Sequence, residues 1–233
     1  MRTRSAGCAA TPIKASSVVR VHHEEMAAAR VSTVNVLHAL RDGYYHQTAI
    51  DKRPLDGPVA VGRLGLDGDR QMDSSHGGRD LAVYVYAAED AAWWSEQLGR
   101  DIPPGLLGEN LRTTGLEVTN AAVGTRWRVG DVLLEVRRPR TPCENLSQRM
   151  GIERFHLAFN ASGRVGAMCR VLETGVVRAG DLIDVELTAN HPVTVSALAT
   201  GSATAQDMQI LLGSGIPVAR SVGARAKRVA ARG

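Results

Sequence analysis

The stretch Val129–Leu146, VGDVLLEVRRPRTPCENL, contains a turn, a strand and a cysteine in quick succession. Its Gly-Asp pair is typical of a tight hairpin turn, and the apolar residues that follow fit a buried strand. A second stretch, Ala179–Leu187 (AGDLIDVEL), repeats the same order of a Gly-Asp turn and an apolar strand. These two hairpin entries predict a mainly β protein whose antiparallel sheet closes into a barrel.

Further stretches carry the composition of strands or of a helix. Alternating apolar and β-branched residues predict strands at Val31–Val36, Val59–Leu66 and Leu81–Tyr86. In contrast, Ala87–Gly99 has strong helix formers, acids in its first turn and a glycine at its end. We therefore expect this segment to be a helix at the periphery of the sheet.

The pattern divides the chain into three parts. Residues 1–28 show no sustained period and are predicted to be a disordered extension. Residues 29–190 form the predicted β-barrel domain, and residues 191–233 a short helical tail. Within the tail, Gly, Ser and Pro separate three helix-like pieces, at 194–200, 204–213 and 217–231.

Composition excludes several classes of protein. The 233 residues are 44% hydrophobic, enough for one core, but no run of eighteen apolar residues is long enough to cross a bilayer. The first 23 residues lack the continuous apolar segment of a secretory signal, and three cysteines are too few for a disulfide framework. We therefore expect a cytoplasmic protein without a membrane partner.

The net charge of +4 leaves a polyanion partner open as an alternative. Much of the excess lies at the chain ends, and aromatic residues are only 4% of the chain, which leaves few platforms for stacking bases. Nucleic-acid binding is thus the less favoured interpretation. The chain also has no Walker loop and no cysteine pair at zinc-finger spacing.

Cys143 is the first candidate for chemistry. Arg137, Arg138 and Arg140 lie close enough for one or more to stabilise its thiolate, and strand alternation sends Arg138 and Arg140 to the same side. Pro142 presents the cysteine on stiff backbone. Such a thiolate suits a soft metal ion or a nucleophilic role, while packing as a small buried hydrophobe is the alternative. Cys169, in an apolar strand pattern, is interpreted as core.

Two loops supply further candidates. In SSHGGRD, Gly77 and Gly78 allow backbone amides to approach an anion, with His76 and Asp80 on either side. A histidine that merely satisfies loop hydrogen bonds is the alternative. In GENL, the polar Glu109 and Asn110 lie between apolar residues and require partners if they are buried. They form either a structural network or part of a site.

Six motifs in order resemble the MOSC domain, the molybdenum-cofactor sulfurase C-terminal domain, in its stand-alone bacterial YiiM-like branch. The motifs are LDGDRQMDSSHGGRDLAVYVY, GENL, VGDVLLEV, RPRTPCENL, GRVGAMCRVLETG and AGDLIDV. The resemblance covers about Val31 to Leu187, and the segment that follows resembles the short three-helix tail of that branch.

The resemblance implies a β-barrel in which Cys143 coordinates the molybdenum of a molybdopterin-type cofactor. It also implies reduction of N-hydroxylated small molecules, such as hydroxylamino-purines and amidoximes, to amines, with electrons from an external donor protein. The residues that match the family motifs are His76, Gly77, Gly78, Asp80, Glu109, Asn110 and Arg140.

We assign roles to these residues as expectations. Cys143 binds the metal, and His76 or Asp80 assists proton delivery to the departing oxygen. Arg138 and Arg140 anchor the cofactor phosphate. The remaining residues predicted to bind the cofactor are Gly77, Gly78, Arg79, Glu109 and Asn110.

The sequence departs from the family pattern at two places. Glu144 and Asn145 follow Cys143, where related sequences commonly have an aromatic or basic residue and then lysine. A carboxylate beside the thiolate would oppose its ionisation and repel a phosphate. The basic residue usual after the His-Gly-Gly-x-Asp run is Leu81 here, with Arg79 two positions before it.

Two other functions stay open at this point. In one, Cys143 carries sulfur as a persulfide for metal-sulfur or cofactor assembly, for which a thiol of low pKa also serves. In the other, the protein is a non-enzymatic barrel that binds polyanions through its basic ends. Strong salt dependence of binding would indicate this function.

Overall fold

The computed structural model describes residues 28–72 and 77–231. The predicted extension 1–28 therefore lies, except for its last residue, outside the described residues. Eleven strands occur in the described part of the chain. They are β1 (Arg30–Asp42), β2 (Gln47–Pro54), β3 (Val59–Gly62), β4 (Gly65–Leu66), β5 (Val83–Ala87), β6 (Leu111–Thr114), β7 (Arg126–Val129), β8 (Val132–Pro139), β9 (Ala167–Glu173), β10 (Gly175–Val177) and β11 (Ile183–Leu187).

Helices connect or flank these strands. In the same described residues they are α1 (Ala88–Leu98), α2 (Glu144–Met150), α3 (Phe155–Ala161), α4 (Val195–Thr200), α5 (Ala205–Gly213) and α6 (Arg220–Ala230). The predicted mainly β fold with peripheral helices is confirmed. Helix α1 ends where the sequence predicts, because Gly99 adopts a left-handed φ of 60°.

The strands form an eight-stranded sheet in the order β11-β7-β8-β9-β5-β6-β1-β2, and a three-stranded sheet in the order β10-β3-β4. All pairs are antiparallel except β5 with β6, whose register places Val85 opposite Leu111. Parallel neighbours need a long connection, and the segment with α1 provides it. The predicted antiparallel sheet thus contains one parallel pair that the strand patterns did not reveal.

The predicted closed barrel is not confirmed. The larger sheet has two ends, β11 and β2. Backbone hydrogen bonds join the start of β1 to the segment before β11, from Val31 N to Asp181 O at 2.9 Å and from Gly180 N to Val31 O at 2.8 Å. Arg30 and Leu182 form only an isolated bridge there. These contacts bring the first strand to the last at one corner, without a continuous closing ladder in the described residues.

The two Gly-Asp turns differ in what they connect. Gly130 and Asp131 form a two-residue hairpin between β7 and β8, with Val129 opposite Val132, as predicted. Gly180 and Asp181 do not form the second predicted hairpin, since β10 pairs with β3 and β11 pairs with β7. The reason is that Gly180 donates its N–H to Val31 of β1, so this turn contacts another strand.

One predicted strand is shorter than expected. Val59–Leu66 divides into β3 and β4 around Arg63 and Leu64, with Val61 opposite Leu66. Gly65, with a φ of 136°, allows this reversal because it has no Cβ. The alternation of apolar residues therefore came from two short strands of one hairpin.

The C-terminal helices α4, α5 and α6 agree with the predicted pieces, and Thr194 and Thr204 cap the first two by accepting backbone N–H groups. Their apolar residues Met208, Leu211 and Val222 belong to the same hydrophobic core as the strands. The helices are thus packed on the β part of the molecule. The predicted boundary near residue 190 stays a prediction.

Gly105 and Gly108 determine how the loop before β6 lies on β2. Gly105 has a φ of +80°, and a Cβ there would lie 2.4 Å from the carbonyl oxygen of Lys52. Gly108, with a φ of +84°, would place a Cβ 3.1 Å from Ile50. Only glycine allows this close approach of loop and strand, and the approach places Glu109 and Asn110 beside β2.

We expect Gly105→Ala to destabilise the protein more than Gly99→Ala. A Cβ at Gly99 meets nothing within 4 Å, so that variant has only the cost of a left-handed alanine, about 1–2 kcal/mol. Gly105→Ala adds a clash with backbone, which we expect to lower the free energy of unfolding by about 1–3 kcal/mol more. Urea denaturation measures both, and equal losses would contradict the close-approach argument.

Candidate functional site

A cavity of about 260 Å³ lies where the β1–β2 hairpin, the end of β8 and the start of α2 meet. It contains four of the predicted site residues, Cys143, Arg138, Arg140 and Asn110. The other lining residues are Tyr45, His46, Gln47, Thr48, Ala49, Ile50, Lys52, Arg70, Gln71, Met72, Tyr84, Gly108, Thr141, Asn145 and Met168. We call it the cysteine cavity.

Cys143 follows the end of β8 and directly precedes α2. It is half-buried and lines the cavity, so its thiol is accessible rather than packed in the core. Cys169, on β9, is fully buried, and burial raises the pKa of its thiol far above the usual range. The two cysteines therefore differ in access to solvent, and Cys143 is the one positioned for chemistry.

The cysteine cavity is cationic. Its lining includes Lys52, Arg70, Arg138 and Arg140, and none of the described lining residues is acidic. Burial lowers the pKa of Arg138, and the neighbouring Arg140 lowers it further. The guanidinium of Arg140 lies 5.7 Å from the ring centroid of Tyr84. Because like charges repel each other here, an anion bound among them would relieve the repulsion.

Lys52 is a cavity residue that the sequence analysis missed. It lies on β2, is almost fully buried and forms an ion pair with the buried Asp69. Burial lowers the pKa of Lys52, while Asp69 opposes that change. The sequence gives little signal for this residue, because the segment QTAIDKRP shows no strand alternation and its buried run ends on a charge.

Asn110 lies at the centre of a small polar network. Its Oδ1 accepts the backbone N–H of Tyr84 at 3.0 Å, and its Nδ2 donates to Asp69 Oδ2 at 2.8 Å. The second oxygen of Asp69 is buried without a hydrogen-bond partner among the described residues. Asn110 thus connects β5 to the Lys52–Asp69 pair at the cavity wall.

Glu109 does not face the cavity. It is completely buried, and its Oε1 accepts the N–H of Gly105 at 2.9 Å and Nε of Arg112 at 2.8 Å. The geometry agrees with the structural alternative, in which Glu109 holds the loop that carries Asn110. Its predicted contact with a cofactor stays a prediction.

The Gly-Gly loop lies beside a different cavity. Gly77, Arg79 and Asp80 line a second cavity of about 510 Å³ together with Arg63 and Arg170. Gly78 is exposed at its edge, and its N–H donates to Gln71 Oε1 at 3.0 Å. Since Gln71 also lines the cysteine cavity, it links the two cavities. His76 lies outside the described residues.

Asp80 is held by Arg137. Its Oδ1 accepts from Arg137 Nε at 3.0 Å, and Arg137 also pairs with the buried Glu135 at 2.8 Å. Arg137 therefore points away from the cysteine cavity, while Arg138 and Arg140 line it, as strand alternation predicts. The structure does not bring Asp80 to the lining of the cysteine cavity, and its proton-transfer role stays a prediction.

The two residues that depart from the family pattern take different positions. Glu144 Oε1 lies 3.9 Å from Nε2 of His156 on α3, and Glu144 is not among the cavity lining. Asn145 lines the cavity, and its Oδ1 accepts the N–H of Tyr44 at 2.7 Å. The carboxylate expected to disturb an anion therefore does not line the cavity.

Helix α2 is fixed to the sheet by Asp51. The carboxylate of this buried residue accepts from Arg149 of α2 at 2.9 Å and from Arg41 of β1 at 2.8 Å. Burial opposes ionisation of Asp51, but these two guanidinium groups outweigh it and hold the pKa of Asp51 below its ordinary value. This ion-paired cluster sets the distance between the helix that follows Cys143 and the hairpin across the cavity.

Fold and site together define a mainly β protein with an accessible thiol in a cationic cavity. The family model described as MOSC domain matches residues 73–184. This segment, a little under half of the chain, is thus similar to the MOSC domain, as the motifs indicate. MOSC domains are in general associated with molybdenum-cofactor binding.

Three relatives are similar over part of their length. YflK of Bacillus subtilis (strain 168) is 38% identical over 140 residues, which are 60% of this chain and 63% of YflK. YiiM of Escherichia coli (strain K12) is 35% identical over 137 residues, 57% of this chain and 61% of YiiM. A protein named Reductase from Gibberella moniliformis (strain M3125 / FGSC 7600) is 38% identical over 144 residues, 58% of this chain and 25% of that protein. The matches thus cover less than two thirds of each relative.

Two crystal structures share the fold. YiiM from Geobacillus stearothermophilus gives a TM-score of 0.70 at 23% identity and covers 86% of this chain and 98% of that one. YiiM from Escherichia coli gives 0.65 at 25% identity, over 85% of this chain and 91% of that one. Within residues 28–72 and 77–231, no helix has the length and apolar character needed to cross a membrane.

We expect Asp51→Asn to lower the free energy of unfolding by about 1.5–3 kcal/mol at neutral pH, because it removes charge-assisted hydrogen bonds. A carboxyl whose pKa is lowered in the folded state stabilises the protein above its unfolded pKa, and that stabilisation disappears as pH falls through the folded pKa. The difference between the variant and the natural protein should therefore shrink below pH 3.8.

Urea denaturation at a series of pH values measures this effect. Asp56→Asn, at an exposed position, is the matched control and should behave as the unmodified protein throughout. If the difference in unfolding free energy between Asp51→Asn and the unmodified protein stays constant into strong acid, that result would argue against the ion-paired cluster.

Proposed function

We propose that this protein binds a molybdopterin-type molybdenum cofactor through Cys143 and reduces N-hydroxylated small molecules to amines. The single observation that carries the proposal is the accessible Cys143 thiol in a cavity lined by four cationic side chains and, among the described residues, by no acid. The match of residues 73–184 to the MOSC domain model and the similarity to the relative named Reductase support this proposal.

The residues present fit such a cofactor. A thiolate is a soft ligand of the kind that suits metal centres with sulfur coordination. The phosphate of a pterin cofactor needs charge-assisted donors, and Arg138, Arg140 and Lys52 offer them from three positions of the wall. Asn110 adds an amide at the same wall. When bound, the cofactor supplies the two-electron chemistry that removes oxygen from the substrate.

The remaining tasks belong to the chain itself. Cys143 holds the metal, and the cationic wall orients the anionic part of the cofactor. We add Lys52, whose ammonium pairs with Asp69 at the cavity wall, to the candidates for proton transfer. We keep His76 and Asp80 as the further proton-transfer candidates. An external donor protein in the cytoplasm returns the electrons in this proposal.

Molybdenum content tests the proposal. Protein from a host that makes the cofactor should contain molybdenum and yield the fluorescence of oxidised pterin, and Cys143→Ala should lose most of both, because it lacks the metal ligand. Cys169→Ala, which removes a buried thiol instead, is the matched control and should keep both.

Equal metal content in Cys143→Ala and the unmodified protein would reject the proposal. A labile mass increase of one sulfur on Cys143, without pterin, would indicate the persulfide carrier instead. Binding of a polyanion that falls steeply with salt and persists in Cys143→Ala would indicate the third function.

Arg140→Gln tests the cationic wall. Loss of a charged hydrogen-bond donor should weaken retention of the pterin by about tenfold or more during dilution and gel filtration. Arg178→Gln removes the same charge at a residue with 65% side-chain exposure that does not line the cavity, and it should retain pterin normally. Equal retention by the two variants would show that Arg140 does not hold the cofactor.

A further inference from the structure

The tip of the β1–β2 hairpin carries two exposed aromatic side chains. Tyr44 is 62% exposed and Tyr45 is 74% exposed. The chain has only four tyrosines, and the other two, Tyr84 and Tyr86, are buried in the core. Large aromatic rings usually bury most of their surface, so an exposed adjacent pair calls for a physical explanation.

The tip is held in place beside Cys143. Gly43 donates its N–H to His46 O at 3.1 Å, which closes the turn, and Tyr44 donates its N–H to Asn145 Oδ1 at 2.7 Å. A Cβ on Gly43 would lie 2.5 Å from the backbone oxygen of His46 and 2.6 Å from Asn145 Oδ1, so glycine leaves room for both the turn and the contact with Asn145. The hairpin is therefore docked on the residue two positions after Cys143.

Tyr45 forms part of the cavity wall, and Tyr44 supports it from outside. Tyr45 lines the cysteine cavity, whereas Tyr44 does not. The two rings meet edge to face, with centroids 4.7 Å apart and an interplanar angle of 76°. Met72 and Met168 line the same cavity and give it further apolar, polarisable surface. The cavity thus combines cations with an aromatic and thioether surface.

We infer that Tyr45 is a stacking platform that selects substrates whose N-hydroxylated group is attached to a flat conjugated ring. A ring stacked on Tyr45 gains aromatic contact beyond simple burial, and a saturated ring of similar size does not. The cations disfavour positively charged ligands, so the preferred ligands are neutral or anionic. The reaction rests on the proposed function, whereas the preference in binding does not.

Two neutral probes of matched size test the platform. Benzamidoxime carries a planar ring, and cyclohexanecarboxamidoxime carries a saturated ring on the same N-hydroxylated group. Calorimetric titration of the purified full-length protein should show tighter binding of benzamidoxime. Tyr45→Leu keeps an apolar side chain but removes the ring. It should lower the affinity for benzamidoxime by about 2- to 10-fold and leave the affinity for the saturated probe nearly unchanged. Tyr45→Phe keeps the ring and should bind both probes as the unmodified protein does.

Equal affinity for the two probes, absence of binding by both, or an equal loss for both in Tyr45→Leu would overturn the inference. Because Tyr45 is exposed, the variants should unfold at the same denaturant concentration as the unmodified protein, and that measurement excludes misfolding as the cause. Protein that prefers the planar probe but contains no molybdenum would retain the platform and reject the proposed reaction. Protein that contains molybdenum but binds both probes equally would reject the platform and leave the proposed cofactor binding intact.

Discussion

Repulsion between like charges is the constraint on which the rest of this site depends. Lys52, Arg138 and Arg140 share one cavity wall with an accessible thiol, and the described lining contains no carboxylate. Two buried acids hold the surrounding elements. Asp69 pairs with Lys52, and Asp51 pairs with Arg149 of the adjoining helix, which does not line the cavity. Arg138 and Arg140 thus line the cavity with no acid among its described lining residues.

The backbone around the cavity is shaped to maintain that arrangement. Gly105 lets the loop that carries Asn110 lie against Lys52, and Gly43 lets the hairpin tip lie against Asn145. A Cβ at Gly105 would lie 2.4 Å from the backbone oxygen of Lys52, and a Cβ at Gly43 would lie 2.5 Å from that of His46, so glycine is needed at both positions. The two contacts join β2 to the loop before β6, and the β1–β2 hairpin to helix α2. The walls of the cavity therefore come from segments that are distant in sequence.

The periodicity of apolar residues predicted most of the strands and helices. It did not predict which distant segments contact each other. The strands near Val31 and Leu81 and the three C-terminal helices were predicted because each has its own local pattern. Helices α2 and α3 were missed because they are short and start without usual capping residues: Cys143 precedes one, and Arg154, at a φ of 54°, precedes the other. The second Gly-Asp turn was wrongly predicted to form a hairpin, because its contact is with a residue distant in sequence. Its partner is Val31, which lies at the other end of the domain in sequence.

For the site, the sequence identified the residues that stand in recognisable motifs. Cys143, Arg138, Arg140 and Asn110 were predicted and lie together in one cavity. Lys52 and Tyr45 were missed, since their positions in the cavity depend on the docking of β2 and of the hairpin tip. The described residues of the Gly-Gly loop lie at a second cavity, and Gln71, which accepts the N–H of Gly78, lines the first. Which motifs share a site depends on long-range contacts, and no spacing along the chain encodes them.

The two described cysteines show how position decides the chemistry of one residue type. Cys169 lies inside β9 with its side chain fully buried, where a thiolate would lose its hydration without gaining a counter-charge; burial raises its pKa, and Glu135 adds to the effect. Cys143 lies just beyond the end of β8, where Pro139 and Pro142 prevent the strand from continuing. Ending the strand there exposes the sulfur to a cavity that the strand's own arginines line. A strand that continued by four more residues would have placed Cys143 in a ladder, and the same cations would have had no accessible thiol to act on.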